Sequence, residues 1–582
     1  MTVGGSVPTI TMSTEWSPRS EIRWREWSKA AFDQAAKESK LVLLDLSAVW
    51  CHWCHVMDGT TYSDKDVADT INRSFIPVRV DIDERPDISE RYNRGGFPTT
   101  AFLSDRAESI WGATYIPPAD MKRIMKSVLA AKASGEIDRA LEKTRLQYLD
   151  ISKRFRPRQD IDAGAISSVF EDIFSIYDVE FGGFGTQPKF PHPDALDLLL
   201  HEYISTGDKD LSKAVERTLD MMAEGIFDQV DGGLFRYSVT RDWRTPHYEK
   251  MLETNLGFLR NLVHASIALD SKRYADLARQ DVKYILKWLR DSRNGGFYGS
   301  QAADEGFYKL SPEARSKADA PPVDKRIYAG WNAEAISTLI EAGALLGEPS
   351  WIEAGLGAWK YTLENLWNPD LGLIRHMVNH KDYLFEDQVA FLHGGLAVLE
   401  VSRSEEAIRT IEALIAGVEQ SFTASEGGYG DIISSGDSVG ELDSARRSLV
   451  ANSKWARAVA LFGAATHNDS LIEKAGSTLA SFTIDEVESH GLFGAAFITS
   501  SRTMQHGPAL VEVHGGDTVP WTNALWTAAK KAADPGTVVL LSAEEHSNRP
   551  YALICTPVGC SAQIFDPESL AGAVKRRETS QA

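Results

Sequence analysis

The spacing of hydrophobic and polar positions changes twice along the chain. Over residues 16–134, short apolar runs such as Leu41–Ser47 alternate with stretches of helical periodicity. Over residues 160–505, apolar positions recur every three or four residues, as they do on the buried face of a helix. From Ala509 onward, short apolar runs return. The pattern therefore predicts an α/β layer, then a long all-helical region, then a small α/β segment.

The same pattern predicts individual elements in the two α/β regions. The first region should contain a helix over 24–40, strands over 41–47, 75–81, 99–103 and 109–114, and a helix over 117–133. The last region should contain strands over 510–515, 536–541 and 551–555 and helices over 520–533 and 567–575. The predicted domain limits are 16–134 for the first α/β domain, 135–159 for a helical linker, 160–508 for the helical domain and 509–582 for the C-terminal segment.

A glycine followed by an aromatic or large apolar residue recurs between the helices of the middle region. The six occurrences include the glycines at positions 183, 233, 296, 372, 428 and 491. Each interval is long enough for two helices of about fifteen residues, a helical hairpin. A repeat of this kind predicts six hairpins around one axis, an (α/α)6 toroid, with the glycine turns together at one end around a cavity. The alternative is an irregular helical bundle whose glycines are ordinary helix C-caps.

The charge of the chain excludes several kinds of partner. The 582 residues carry 62 Lys+Arg against 82 Asp+Glu, a formal net charge of -20. This balance argues against sequence-independent nucleic-acid binding and against an anionic membrane surface. No apolar run approaches the roughly eighteen residues of a membrane span, and the first twenty residues lack the pattern of a secretory signal. We therefore expect a cytoplasmic protein with no nucleic-acid partner and no membrane.

Cysteine is the residue type most informative about chemistry. The four cysteines form two close pairs, Cys51 with Cys54 and Cys555 with Cys560, which is too few for a disulfide scaffold in a chain of this length. Cys51 follows the apolar strand at a predicted helix N-terminus, where the helix dipole lowers a thiol pKa to about 3.5–7.5. This placement favours a redox dithiol in which Cys51 is the exposed attacking thiol and Cys54 the resolving one.

Two further residues fit a dithiol site. Asp45 lies on the strand six residues before Cys51, and a buried carboxylate there would take the proton of the second thiol. The Phe97-Pro98 bond could be cis, since cis peptide bonds are nearly confined to X–Pro, and Pro98 would then face the thiols.

The first cysteine pair has other interpretations. Cys51-His52-Trp53-Cys54-His55 also fits covalent haem attachment, which normally belongs to exported proteins. A zinc site needs four convergent ligands, and His52 and His55 point to different sides of one helical turn. Two inert buried cysteines are the remaining alternative. We expect no bound metal and no other cofactor. The second pair, Cys555 and Cys560, fits a local disulfide, a dithiol exchanging with the first pair, or two free surface thiols.

The sequence around these cysteines resembles a known family. The Leu41–Asp45 run, the Cys51-His52-Trp53-Cys54 motif and Phe97-Pro98 resemble the thioredoxin fold. The longer strings 51–57 and 80–88, with 182–191, 225–239, 246–252 and 295–298, resemble the YyaL-like family, which is related to the spermatogenesis-associated thioredoxin-like protein of animals. The resemblance implies a thioredoxin-like domain and an (α/α)6 barrel of the six-hairpin glycosidase or sugar-epimerase kind, and it implies no defined reaction. The chain departs from the family between Arg85 and Phe97, where relatives carry a longer loop.

A dense polar cluster in the helical region is the second candidate site. Pro246 suits the first position of a helix, so we expect a helix to begin there. Aromatic rings beside carboxylates, amides and an imidazole suit sugar binding, with His247 and Glu249 as acid/base groups. The predicted cavity-lining residues are Asp231, Arg236, Tyr237, Trp243, His247, Glu249, Lys250 and Asn255, joined through the resemblance and their positions by Trp331, Asn332, Glu386 and Asp387. The alternative is a structural network that fastens the hairpins together.

Three classes of function remain open from the sequence. The first is a thiol–disulfide oxidoreductase whose barrel selects or docks a disulfide-bearing protein client. The second is a carbohydrate-active enzyme, a hydrolase or epimerase acting on a small sugar-like ligand, with the thioredoxin-like domain as redox control or structural partner. The third is a sugar-sensing or scaffold protein without catalysis.

Overall fold

The computed structural model describes residues 21–151, 163–402, 404–433, 438–516, 519–520, 523–542 and 549–579. The chain divides into two compact units. The first unit is Met1–Pro157 together with two inserts, Gln301–Asp324 and Ser434–Ala445, and the second contains the rest of the chain. Both inserts fall inside the predicted 160–508 range. Parts of the predicted first domain and linker, residues 16–20 and 152–159, lie outside the described residues.

The first unit is built on a four-stranded sheet of order β2-β1-β3-β4. Strand β1 pairs parallel with β2 and antiparallel with β3, so its seven residues are buried on both sides. All four strands lie where the sequence predicts them, with β4 one residue shorter. The elements are α1 (Lys29–Glu38), β1 (Leu41–Ser47), α2 (His52–Thr60), α3 (Lys65–Ser74), β2 (Phe75–Asp81), α4 (Pro86–Tyr92), β3 (Thr99–Leu103), β4 (Ser109–Ala113), α5 (Pro118–Ala133) and α6 (Glu136–Ile151).

The first predicted helix is too long at its N-terminus. The sequence predicts a helix over 24–40, whereas α1 begins at Lys29. The preceding residues are extended because Arg25 joins the edge of the sheet. Its N–H donates to Pro77 O at 3.1 Å, and its carbonyl accepts from the N–H of Arg79 at 2.9 Å. A backbone that completes a sheet edge in this way is unavailable to a helix.

The insert Ser434–Ala445 is fastened to the first unit by Arg91 of α4. The Arg91 guanidinium donates to the carbonyl of Glu441 at 2.9 Å and to that of Ser444 at 3.1 Å. Arg91 is buried, so these charge-assisted bonds form away from water, where they are strongest.

Twelve helices of the second unit form an (α/α)6 toroid, as the sequence predicts. The inner helices α8, α10, α14, α16, α18 and α21 pack in a closed ring, and the outer helices α7, α9, α11, α15, α17 and α19 pack against them. Two short helices, α12 (Glu305–Tyr308) and α13 (Pro312–Arg315), belong to the insert Gln301–Asp324 of the first unit. In chain order the twelve barrel helices are α7 (Ala163–Ser175), α8 (Pro193–Thr206), α9 (Lys209–Gly225), α10 (Leu252–Ala268), α11 (Lys272–Tyr284), α14 (Ala329–Leu346), α15 (Pro349–Asn365), α16 (Phe385–Ser402), α17 (Glu405–Phe422), α18 (Leu449–Ala465), α19 (Asp469–Leu479) and α21 (Ala495–His506), with the short helix α20 (Ile484–Ser489) before α21.

Each glycine turn leads from an outer helix into the next inner helix. The turns therefore lie at the end of the barrel where the inner helices begin. Short strands flank several of them: β5 (Tyr237–Ser238), β6 (Pro246–His247), β7 (Lys250–Met251), β8 (Ser300–Gln301), β9 (Val323–Asp324), β10 (Trp367–Asn368) and β11 (Leu373–Ile374). The sixth turn differs, because Gly491–Gly494 is a 3₁₀ turn that runs directly into α21.

Four of these turns are held by an amide side chain that we call a turn clamp. The clamps are Asn255, Asn332, Gln388 and Asn452, each the fourth residue of its inner helix. In each case the side-chain oxygen accepts the N–H of one turn residue and the side-chain nitrogen donates to the carbonyl of that same residue. The clamps satisfy buried backbone groups that would otherwise carry a desolvation cost.

The C-terminal segment belongs to the second unit and closes one end of the barrel. Its four-stranded sheet has the order β13-β12-β14-β15. Lys530 of α22 pairs with Glu400 near the C-terminus of α16 at 2.6 Å, so the segment packs at the end opposite the glycine turns. The elements are β12 (Ala509–His514), α22 (Ala524–Ala532), β13 (Thr537–Leu541), β14 (Tyr551–Thr556), β15 (Gly559–Cys560) and α23 (Pro567–Thr579). Across the described ranges, no helix combines the length and apolar character needed to cross a membrane.

Candidate functional sites

Cys51 and Cys54 form a disulfide at the N-terminus of α2. Cys51 is the N-cap of that helix, and its Sγ accepts the backbone N–H of Cys54 at 3.3 Å. The first N–H groups of a helix lack partners within the helix and carry its positive end. A thiolate on Cys51 would therefore be stabilised by a hydrogen bond and by the helix dipole.

Asp45 is buried within the sheet on the strand that leads to this site. Arg79 on β2 pairs with its carboxylate at 2.7 Å, and the Tyr62 hydroxyl donates to it at 3.1 Å. Arg79 also binds Asp58 at 2.5 Å. Burial raises the pKa of Asp45 to about 6, against the lowering effect of Arg79. The carboxyl group therefore exchanges its proton near neutral pH, as an internal proton acceptor must.

Around the dithiol, the prediction of a cis bond at Phe97-Pro98 is confirmed and the prediction of an exposed Cys51 is wrong. The Phe97-Pro98 peptide bond is cis, and the register of β3 against β1 places it at the same end of the sheet as the cysteine turn. The expectation that Cys51 is exposed is wrong, since only 4% of Cys51 and 2% of Cys54 is accessible. The exposed group is Trp53 between them, 38% accessible and packed against Tyr115 with ring centroids 5.2 Å apart.

The second cysteine pair forms a local disulfide across the hairpin of β14 and β15. Cys555 and Cys560 are direct cross-strand partners with Cα atoms 4.0 Å apart. Cys555 is buried against Leu510 and Val538, whereas Cys560 is exposed. Of the three alternatives open from the sequence, the structure has the local disulfide. In the described parts of the chain, no group of three or more potential ligands is arranged to hold a metal ion.

A cavity of about 1180 Å³ occupies the axis of the barrel. At the end near the glycine turns it is lined by Phe190, Arg236, Glu253, Glu334 and Glu386. At the opposite end it reaches residues of the C-terminal segment, including Lys530 and Val538. The cavity is larger than the ~300–1,000 Å³ of ordinary small-molecule pockets.

Ion pairs between inner helices line the middle of the cavity. Arg260 binds Asp194 at 2.7 Å and Asp197 at 2.6 Å, and Lys454 also binds Asp194 at 2.7 Å. His264 lies between Asp197 at 3.3 Å and Glu341 at 3.4 Å. These carboxylates outweigh the effect of burial and raise the pKa of His264 to about 10, so the imidazole is charged at neutral pH.

Of the residues predicted to line one cavity, only Arg236 and Glu386 are among those that line this one. The others lie around the glycine turns, and most have buried partners of their own. Because β6 and β7 are extended, the expected helix start at Pro246 is wrong; helix α10 begins at Leu252, after the cluster.

His247 and Glu249 are bonded to each other. His247 is the last residue of β6 and Glu249 directly precedes β7, and His247 Nδ1 lies 2.5 Å from a Glu249 carboxylate oxygen. Glu249 is fully buried, and the bond to His247 holds its pKa below the usual range despite that burial. The His247 ring stacks on Tyr237, which stacks in turn on the cavity residue Phe190. Two rings, Tyr237 and Phe190, therefore separate His247 from the cavity, and the acid/base role of the pair stays a prediction.

The remaining predicted residues have structural contacts. Lys250 is fully buried and binds Asp228 at 2.7 Å, and the turn clamps Asn255 and Asn332 are described above. Trp243 is fully buried, and its indole N–H donates to the carbonyl of Phe181 at 3.1 Å.

Three predicted residues lie in a glycine turn or at a helix start. Asp231 directly precedes Gly232 in its turn, and Trp331 and Asp387 are each the third residue of an inner helix. Asp387 accepts the N–H of Gly330 at 2.9 Å and binds His376 at 2.9 Å. Asp231 faces Lys287 at 3.6 Å. Trp331 is not among the residues that line the cavity, but its side chain acts to lower the pKa of the cavity residue Glu253.

Sequence reasoning missed most of the residues that line the cavity. Glu253, Glu334, Arg260, His264 and Lys454 all lie on inner helices. Each of these residues places a charged side chain on the otherwise apolar inner face of its helix. Charged residues at such positions are the sequence pattern that would have indicated a polar cavity on the axis. A helix that buries a charge on its core side must provide that charge with water or a partner.

A family model matches the N-terminal part of the chain. Residues 16–155 match a thioredoxin-type family model described as "Protein of unknown function, DUF255". Residues 16–155 are a DUF255 thioredoxin-like domain. This confirms the thioredoxin-like part of the resemblance, and a solved thioredoxin from Thermus thermophilus is similar to this part at 23% identity, covering 20% of this chain and 95% of that one with a TM-score of 0.18.

The chain that carries the DUF255 domain is also similar to animal proteins. Spermatogenesis-associated protein 20 is 33% identical over 307 residues in Mus musculus and 31% over 312 residues in Homo sapiens. Each match covers 49% of this chain and 39% of the animal protein, so it spans well under half of that relative's length.

Solved structures similar to the barrel share its fold. A sugar epimerase from a ruminal bacterium is 11% identical with a TM-score of 0.46, covering 58% of this chain and 98% of that one. A D-mannose isomerase is 9% identical with a TM-score of 0.45, covering 59% and 99%. At these identities the likeness concerns architecture alone.

Proposed function

We propose that the DUF255 domain is a thiol–disulfide oxidoreductase acting on a disulfide-bearing protein client. The observation that carries this proposal is the Cys51–Cys54 disulfide at a helix N-terminus, with a hydrogen-bond donor already aimed at the Cys51 sulfur. Two buried cysteines of purely structural use need neither feature. The exposed Trp53 offers an apolar contact for a client beside the thiols.

The reaction follows from the chemistry of thiol exchange. In the reduced protein, the Cys51 thiolate attacks one sulfur of a client disulfide, forming a mixed disulfide and releasing the other client sulfur as a thiolate. The Cys54 thiol loses its proton to Asp45 and attacks Cys51 Sγ. The products are the Cys51–Cys54 disulfide and a reduced client, with two electrons transferred. A dithiol reductant then regenerates the starting state.

Reduction of insulin by the full chain tests this proposal, with dithiothreitol as the reductant. Cys51→Ser should abolish the protein-dependent rate, and Cys54→Ser should accumulate a mixed disulfide. Cys555→Ser is the matched control, since it removes a cysteine from the other pair, and it should retain the rate. A wild-type protein that adds nothing to the dithiothreitol background would refute the oxidoreductase function.

A second candidate function belongs to the barrel. The axial cavity is large, polar and flanked by aromatic rings at the glycine-turn end, which suits a carbohydrate ligand. In this proposal the second unit binds or converts a sugar, and the DUF255 domain provides redox control or structural support. A cytoplasmic location, where thiols stay reduced, is part of the first proposal.

A further inference from the structure

The charges that line the cavity are nearly balanced. Among the described residues, eight acidic side chains and eight lysines or arginines line it. In the middle and at the closed end, the acidic groups are met by cations of the protein: Asp194 and Asp197 by Arg260, Glu341 by His264, and Glu400 by Lys530. An ionic ligand would leave one of these groups without its partner in a confined space, which is strongly unfavourable. The middle and the closed end of the cavity therefore disfavour ligands with a net charge.

The groups at the glycine-turn end are arranged differently. Glu253 and Glu386 are each the second residue of an inner helix, and Glu334 lies on the helix between them. In the described part of the chain, no ion pair at 4 Å or less ends on these three carboxyl groups. Both Glu253 and Glu386 are accessible to water although protein surrounds them, because they face the cavity. Their oxygens can therefore exchange hydrogen bonds with a ligand.

An aromatic wall stands beside these carboxyl groups. Phe190 lines the cavity, and the Tyr237 ring supports it from behind at a centroid distance of 4.6 Å. Arg236 lines the same end, and Arg236 and the Trp331 side chain both act to lower the pKa of Glu253. The end thus combines a rigid ring with several donors and acceptors, which is the combination that hydroxyl-rich rings require.

We propose that this end of the cavity binds a neutral, hydroxyl-rich ligand of the carbohydrate class, with Glu253 and Arg236 as hydrogen-bonding partners and Phe190 as the stacking surface. This inference rests on the second candidate function and specifies the net charge and the position of the ligand. It replaces His247 and Glu249 by Glu253 as the group that meets the ligand.

The protonation of Glu253 makes the binding depend on pH. Burial, followed by repulsion from Glu334, raises its pKa to about 7, and Arg236 opposes the shift. Burial, followed by repulsion from Asp194 and Glu386, raises the pKa of Glu334, and the nearby cations Lys454 and Arg260 oppose that shift. A bound ligand displaces cavity water, which disfavours the charged carboxylate further. By linkage, binding should be tighter below pH 7 than above it.

Binding to the full-length protein tests the inference, with four named probes. Cellobiose and D-mannose are the neutral probes, and D-glucosamine and D-glucuronate are the charged probes. Saturation-transfer NMR and calorimetry should show at least one neutral probe bound at least tenfold more tightly than either charged probe. Glu253→Ala should weaken it by tenfold or more. Glu253→Gln, which keeps the size and hydrogen bonds, should stay within about threefold and lose the pH dependence. Glu406→Gln, on the outer helix α17, is the matched control.

The outcomes separate this inference from the proposed functions. Preference for a charged probe, or Glu253→Ala binding as the wild type does, would overturn the inference while leaving the barrel a carbohydrate binder. Binding of none of the four probes would count against both the inference and the carbohydrate function. Neither result bears on the oxidoreductase proposal, which the insulin-reduction assay with the Cys51 variants tests independently. Circular dichroism and thermal melting of each variant exclude unfolding as the cause of lost binding.

Discussion

Replacing Asp45 by Asn tests the energetic cost of a buried charge on β1, the strand that leads to the dithiol. Asn has nearly the same shape as Asp but only one side-chain oxygen, whereas Asp45 accepts from Tyr62 on Oδ1 and from Arg79 on Oδ2, so the variant loses one of these two hydrogen bonds. That loss does not depend on pH, so the pH-dependent part of the stability difference still reports the titrating proton. The variant therefore removes the titrating proton and the negative charge while keeping the packing around Asp45. Asp33, an exposed carboxylate of α1 paired only with Lys29 on the same helix, provides the matched Asp33→Asn control.

The magnitude follows from the pKa of Asp45. Burial raises it from the ordinary 3.8 to about 6. A shift of about 2 units at ~1.36 kcal/mol per unit corresponds to about 3 kcal/mol. The folded protein holds this proton more tightly than the unfolded chain, so the contribution is complete below about pH 4 and is lost as the pH rises through 6. The stability of the Asn variant relative to the wild type should therefore rise by about 3 kcal/mol between about pH 4 and pH 7.

Hydrogen exchange read by mass spectrometry on peptides that contain β1 measures this difference in the intact chain. The free energy of opening is obtained for the wild type and both variants at several pH values, corrected for intrinsic exchange rates. The free energy of opening should vary with pH in the same way for the wild type and Asp33→Asn. For Asp45→Asn it should increase relative to the wild type as the pH rises, with a midpoint near pH 5, about midway between the two pKa values. A difference that stays constant with pH, or that grows in the opposite direction, would refute the reasoning.

Three further predictions concern stability. Lys250→Met should destabilise the barrel by about 3–5 kcal/mol because it leaves Asp228 buried and charged, and adding Asp228→Leu should restore most of the lost melting temperature in calorimetry. Gly183→Ala should lower the melting temperature, since the residue has φ +75 and its new Cβ would lie 2.5 Å from the Trp243 ring; an unchanged melting temperature would contradict the packing at this turn. Cys555→Ser should cost about 2 kcal/mol, seen as faster hydrogen exchange confined to the β14–β15 hairpin, and exchange as slow as in the wild type would show that this disulfide is dispensable.

The sequence predicts the architecture well because the spacing of apolar residues determines which segments form helices and strands. The strands of the first unit and the twelve barrel helices follow from apolar spacing, and the glycine turns follow from a repeat. The exceptions are local. Arg25 joins a sheet edge instead of starting α1, and β6 and β7 precede α10, because backbone pairing with distant residues overrides the local preference.

The cavity could not be predicted to the same extent. The residues of the cluster around His247 are neighbours along the chain, so the sequence suggests one dense site. In the structure most of their polar groups bind other protein groups and do not face the cavity. The groups that line the cavity come from five or six helices far apart in sequence. Glu253 and Glu334 share no local motif, and only the closure of the helical ring brings them to one axis. Of the predicted set, Arg236 and Glu386 lie at positions that face that axis.

The turn clamps have a consequence for how this chain can change. The insert Gln301–Asp324 departs and returns between Phe297 and Asn332, which are joined by a clamp, and the insert Ser434–Ala445 does so between Tyr429 and Asn452, which are joined by another. Each insert is thus a loop flanked by two barrel residues that a turn clamp already joins by hydrogen bonds. The entropy of closing a loop grows only slowly with its length once its ends are fixed. The barrel can therefore accept longer, shorter or different inserts at these two points, and the points mark where related chains can diverge without loss of the ring.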